Sequence, residues 1–178
     1  MIQDLRAAFP SDHKFQIANA LRNIRNGGAR YFMPFLDGSY MENWTRGLAK
    51  QDLTETISAS IQLAHEASYK GKLILLNTGP WGCGWPCLVS KAEWEEGIGM
   101  PLATFLVLAE DHACFNYITT PNVLRTEQWD ASGLAELNMP LGQPLGPTVK
   151  VGNVFTRSFE FLDVKLDLEK EEATFIKK

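Results

Sequence analysis

Within eight residues the chain sets two carboxylates, an amide and an indole close together: Asp37, Glu42, Asn43 and Trp44. That grouping suits a saccharide. A carboxylate can act at the anomeric carbon or on the leaving oxygen, an amide can bond a hydroxyl, and a broad ring can lie on the C–H face of the sugar. Asp37 and Glu42 are therefore the candidate catalytic pair, with Asn43 and Trp44 beside them as binding residues. Further along, Asn77 precedes the glycine-rich run GPWGCGWP (79–86), which carries Trp81 and Trp85. Asn77, Trp81, Tyr117 and Trp129 complete the set that could bond to or stack on a sugar. Plainer roles are open to several of them. Asp37 can cap the segment that follows it, Asn77 can support a turn, and the tryptophans and Tyr117 can plug one end of the fold.

Other chemistries find less support. Glu127 and Glu136, in the segment after the last predicted parallel strand, are alternative second carboxylates if they fold back over the site. Cys83 and Cys87 have no second Cys/His pair at zinc spacing, so no metal and no cofactor is expected. A thiol hydrolase would need a base such as His112, and His112 falls at the wrong end of its strand. Three cysteines leave one unpaired in any intramolecular scheme and do not suggest a disulfide scaffold. The glycines at 79, 82 and 84 lack the lysine and the helix start of a phosphate loop.

These residues must be positioned by elements, and the pattern gives a consistent set. Residues 14–25 have the apolar stripe of an amphipathic helix, and residues 29–37 (ARYFMPFLD) are long enough for a buried strand that would present Asp37 at its C-terminal end. Residues 54–69 read as a helix, 73–78 (LILLNT) as a strand, 100–110 as an apolar helix and 113–118 as a short strand. Three βα units predict a parallel sheet. After residue 118 turn residues dominate. Residues 153–161 and 163–176 then alternate apolar and polar, with a break near 169–172, and predict two or three antiparallel strands with one wet face. Three parallel strands make an uncomfortable free-standing domain, since both edges lie exposed. The expected fold class is α/β: the C-terminal part of a TIM-type (β/α)8 barrel over 1–118, a loop-rich connection over the barrel mouth at 119–152, and a small antiparallel β appendage at 153–178.

Composition narrows the partners. Of 178 residues, 45% are hydrophobic and 21% charged, which excludes a disordered tail. The net charge of −4 argues against nucleic acid as a partner. No apolar run approaches the ~20 residues of a membrane helix. The start, MIQDLR, lacks the features of a signal peptide, which says little if the protein begins further upstream; the compartment stays open, secretion included. Carbohydrate is the expected partner, and a homo-oligomer is expected if the chain is not a fragment.

The run GGARYF (27–32) through FLDGS (35–39) resembles a strand of the (β/α)8-barrel proteins grouped with the glycoside hydrolases. GKLILLNT (71–78) resembles the strand that follows it there, and 102–117 that group's closing helix and aromatic strand. LGQPLGP (141–147) and TRSFE (156–160) resemble its loop and tail strand. The resemblance runs from about residue 20 to the end. It implies that Asp37 lies in an active-site mouth and that the tail packs on the barrel, while the early barrel strands are missing. The implied activity is hydrolysis of glycosidic bonds in an oligo- or polysaccharide. The alternatives are a carbohydrate-binding or degenerate barrel without activity, and a Cys-dependent hydrolase.

Overall fold

The computed structural model describes residues 8, 14–21, 28–42, 50–83, 89–119 and 129–178. Four parallel strands, β1 (Ile17–Ala18), β2 (Gly38–Glu42), β3 (Leu73–Thr78) and β4 (Ala113–Tyr117), pair in the order of the sequence. Among the described residues they are accompanied by α1 (Lys50–Tyr69), α2 (Lys91–Glu96) and α3 (Gly99–Leu108). A second sheet, antiparallel, joins β5 (Val149–Val151), β6 (Val154–Ser158), β7 (Leu162–Asp167) and β8 (Glu172–Lys177) in sequence order.

Residue alternation divides the parallel sheet into two faces. Met41, Ile74, Leu76 and Tyr117 are buried on one of them. The helices cover that face: Phe105 of α3 stacks on Phe115 with centroids 5.2 Å apart, and Trp94 of α2 on Tyr117 at 5.0 Å. The other face carries Tyr40, Glu42, Leu73, Leu75, Asn77, Cys114 and Asn116, of which Cys114 and Asn116 are exposed. Among the described residues, sequential parallel strands with one helix layer are consistent with a stretch of (β/α)8 barrel.

α3 is apolar all round because it is enclosed on several sides. Leu102, Ala103, Thr104, Leu106, Val107 and Leu108 are all buried between the parallel sheet, α1 and the antiparallel sheet. The tail is thus a layer over α3. Arg157 of β6, 3% exposed, joins the two: Nη1 donates to the carbonyls of Leu106 (3.2 Å) and Ala109, and Nη2 to Glu110 Oε1 at 3.0 Å. These are the carbonyls a helix C-terminus leaves without partners, so a cation there also meets the negative end of the helix dipole. The LGQP and RSFE motifs meet in the same layer, where Glu160 N donates to Gln143 O and Phe161 N to Leu141 O.

Three expectations require correction. Residues 14–21 are not helical: Ile17 and Ala18 form a parallel strand with Gly38 and Ser39, and the amides of Ala20 and Leu21 both donate to Ser39 Oγ at 3.2 Å. The intended helical stripe is not one face, since Phe15 is 77% exposed while Leu21 is buried. Second, residues Gly28–Phe35 form a 3-10 helix, and the strand begins at Gly38, after Asp37. Pro34 has no N–H to give a ladder. Gly38 is a strand residue by necessity, because a Cβ there would stand 2.2 Å from Leu73 O of the adjacent strand. Third, the described residues hold four parallel strands, β1 being the addition. Helix α1, strand β3, helix α3 and strand β4 lie close to their expected positions, and the break in the tail falls between β7 and β8, where Glu171 takes a positive φ of 53°.

A polar row at the C-terminal ends of the strands

Glu42 ends β2, and the register carries it directly beside Asn77 of β3 and Asn116 of β4. Three polar side chains therefore cross the C-terminal rim of the open face, one from each strand. Asn77 is tied to Asn116 and to Tyr40. Asn116 Nδ2 donates to Asn77 Oδ1 at 2.7 Å, and Asn77 Nδ2 donates to the Tyr40 hydroxyl at 2.7 Å. Asn77 is 9% exposed and fully engaged, so it sets the angle of its neighbours. Asn116 stands exposed and Glu42 half-buried. Below the row the same face turns apolar, with Leu73 and Leu75, and Ile17 on the parity of Gly38. An apolar floor under a polar rim holds the rim side chains while leaving their outer atoms free for a ligand.

The expected site residues fare differently. Asp37 lies at the N-terminal end of β2, about 16 Å from the rim at ~3.3 Å per strand residue. Its carboxylate accepts from Gln16 N at 2.8 Å, while its backbone joins two neighbours: Asp37 N donates to Gln16 O and Leu73 N to Asp37 O. It latches β1, β2 and β3 at the foot of the sheet. Glu42, expected on a loop, is instead held by a strand. Asn77 is level with Glu42 and not with Asp37.

Tyr117 follows the parity of Thr78, its register partner, and so faces the helices. Its hydroxyl donates to Trp94 O at 2.7 Å, and burial pushes its pKa well above the ordinary phenol value. Trp129 is on the same side, edge-on to Trp94 at 5.6 Å, with its amide donating to Thr119 Oγ1. Trp81, half-buried after β3, lines a cleft of about 620 Å³ with Glu96, Met100 and Glu171, facing the tail. Glu136 sits in a short 3-10 helix, Ala135–Asn138, in a stretch whose Leu134 and Met139 pack on the core. Asn43, Trp44, Trp85 and Glu127 lie outside the described residues.

Asn116 was the residue sequence reasoning missed. The signal was available: side chains alternate, and if Asn77 faces the rim then its register mate Asn116 does too, while Tyr117 cannot. Cys83 is disulfide-bonded. That corrects the thiol reading for Cys83, which has no thiolate to attack with. Cys114 is free and exposed on the open face. Among the described residues no three His, Cys, Asp or Glu side chains converge on a metal position, and no helix is long and apolar enough to cross a membrane.

A singly wound parallel α/β sheet with a polar rim at its C-terminal edge is the class these features define. The family model for hypothetical glycosyl hydrolase family 15 matches residues 1–163, and the chain belongs to that family. Among curated proteins none matches the sequence significantly.

Proposed function

We propose that the polar row is a saccharide site and that the protein hydrolyses O-glycosidic bonds there, Glu42 being the carboxylate that works on the anomeric centre or the leaving oxygen. The observation that carries this reading is the register Glu42–Asn77–Asn116 on the open face of the sheet. Enzymes built on parallel βα units do their chemistry at the C-terminal ends of the strands, and family membership supplies the reaction class. Asn116 would bond a sugar hydroxyl. Asn77 and Tyr40 would hold Asn116 and the rim in place. Asn43 and Trp44, next in sequence after Glu42, would extend the site with an amide and a stacking ring. Asp37 serves the fold in this reading. Trp81, Tyr117 and Trp129 stay candidates for substrate contact only through rearrangement, since Tyr117 and Trp129 face the helices.

One observation favours a second reading. Glycoside cleavage ordinarily uses two carboxylates, and the described rim holds one, followed across the strands by two amides. A barrel that binds saccharide without cutting it would look the same. Titrating tryptophan fluorescence with mixed oligosaccharides, beside a reducing-sugar assay, separates the two. A fluorescence change with sugar release supports the hydrolase. A fluorescence change without release supports the binding protein, and neither response on any saccharide refutes the site.

A further inference from the structure

The hydrogen bonds of the rim run in one direction. Asn116 Nδ2 donates to Asn77 Oδ1, and Asn77 Nδ2 donates to the Tyr40 hydroxyl, each at 2.7 Å. A primary amide that accepts on one side and donates on the other passes that direction along. The row therefore ends on an acceptor at β4, the Asn116 carbonyl, and on a donor at β2, the Tyr40 O–H. Tyr40 offers a lone pair to Asn77, and its own proton meets no acceptor among the described residues. Tyr117 shows the opposite use, since its proton goes to Trp94 O. From this direction we infer that Tyr40 contacts the ligand and sets its specificity: its O–H donates to a hydroxyl of a bound saccharide, and that hydroxyl donates in turn to Glu42. The contact rests on the saccharide reading above.

The geometry brings the two groups to one level. Tyr40 and Glu42 are two residues apart on β2 and share the open face. Glu42 is the register partner of Asn77, and the Tyr40 oxygen is bonded to the Asn77 side chain. The ring therefore leans up the strand, and its hydroxyl reaches the height of Glu42. Tyr40 is half-buried and not sealed in the core. In the free protein water can take its proton, and a ligand oxygen can replace that water. The pair also selects what it holds. An ionised carboxylate only accepts, and a phenol already accepting from Asn77 has its proton left to give. A sugar hydroxyl accepts and donates at once and satisfies both. An ether oxygen satisfies only Tyr40, and an ammonium group only Glu42.

Tyr40→Phe removes the donor but also leaves Asn77 Nδ2 without its acceptor, so a loss of affinity alone does not separate contact from support. Replacing Tyr40 by meta-fluorotyrosine does. The fluorinated phenol is a stronger acid, hence a better donor and a poorer acceptor, and at about pH 6 it keeps its proton. Calorimetric titration with neutral gluco-, xylo-, manno- and galacto-oligosaccharides, taken singly, beside urea unfolding of each variant, is the test. For the saccharide that wild type binds most tightly, Tyr40→Phe should weaken binding about three- to ten-fold. The fluorinated protein should bind it more tightly than wild type while being no more stable. If Tyr40→Phe fails to fold, the fluorinated protein still gives the comparison. Fluorinated protein that binds more weakly, in step with a lower unfolding midpoint, overturns the contact and leaves Tyr40 a support for Asn77. Fluorinated protein that is more stable and binds as wild type does also overturns it, since the phenol then donates to Asn77 instead. In either case wild type still binds, so the saccharide site stands. Wild type that binds none of these saccharides removes the site and the contact together.

Discussion

Asn77 gives both halves of its amide to neighbours, and that economy defines the rim. Its Oδ1 accepts from Asn116 and its Nδ2 donates to Tyr40, so Asn116 keeps its own carbonyl for a ligand. Replacing Asn116 with Ala removes the donor to the buried Asn77 Oδ1, so it should lower stability by about 1–2 kcal/mol and weaken saccharide binding by about 1 kcal/mol through the lost hydroxyl contact; urea unfolding reads the first and a fluorescence titration the second. Tyr117 behaves oppositely. Its phenol is buried and neutral, and its pKa is raised above the ordinary 10.0. The folded state holds that proton more tightly than the unfolded chain does, so the stability it contributes is fully present below pH 10 and is lost as the pH rises past it. Urea unfolding followed from pH 8 to pH 11 should show the decline, and Tyr117→Phe should flatten it while costing about 1 kcal/mol at neutral pH for the hydrogen bond to Trp94 O. The parity that separates Asn116 from Tyr117 was legible in the sequence, but only once β3 and β4 were set in register.

Strand β2 shows where local pattern misleads. The run ARYFMPFLD is more apolar than GSYME, and the glycine at 38 looks like a terminator. Tertiary context decides otherwise: only glycine allows β2 to approach Leu73, and Ser39 earns its buried position by accepting two amides from the chain leaving β1. Gly38→Ala should lower stability by about 3 kcal/mol, or prevent folding, since strand backbones would have to separate; the midpoint of urea unfolding reads it. Helices α1 and α3 and strand β3 were legible because their patterns are long or strongly apolar. β1, at two residues, has no periodicity to read. α2 is short, yet its capping box, Ser90 with Glu93, stands in the sequence as a start signal. Arg157 depends on elements far apart in sequence and could not be foreseen. Arg157→Ala should cost about 3 kcal/mol, since it leaves Glu110 and two helix carbonyls without their partner, and Arg157→Lys should recover only part, as an ammonium lacks the fork that reaches all three.

At the scale of the whole molecule, two sheets share one helix. α3 is packed by the parallel sheet on one side and the antiparallel sheet on the other, and Arg157 of the tail's TRSFE run serves that contact. The proposed saccharide site lies on the opposite face of the parallel sheet, at the rim. Sequence patterning found an α/β class with a parallel sheet, and it placed Asp37 at the C-terminal end of a strand, whereas that strand begins just after it, at Gly38. Two substitutions weigh that correction. On a saccharide that the wild type cleaves, Glu42→Gln should reduce sugar release at least 100-fold, on the order expected for losing a carboxylate that transfers a proton, with the fold intact. Asp37→Asn should release sugar at nearly the wild-type rate and unfold at lower urea. Equal release by Glu42→Gln and wild type, with release abolished in a folded Asp37→Asn, would contradict the account.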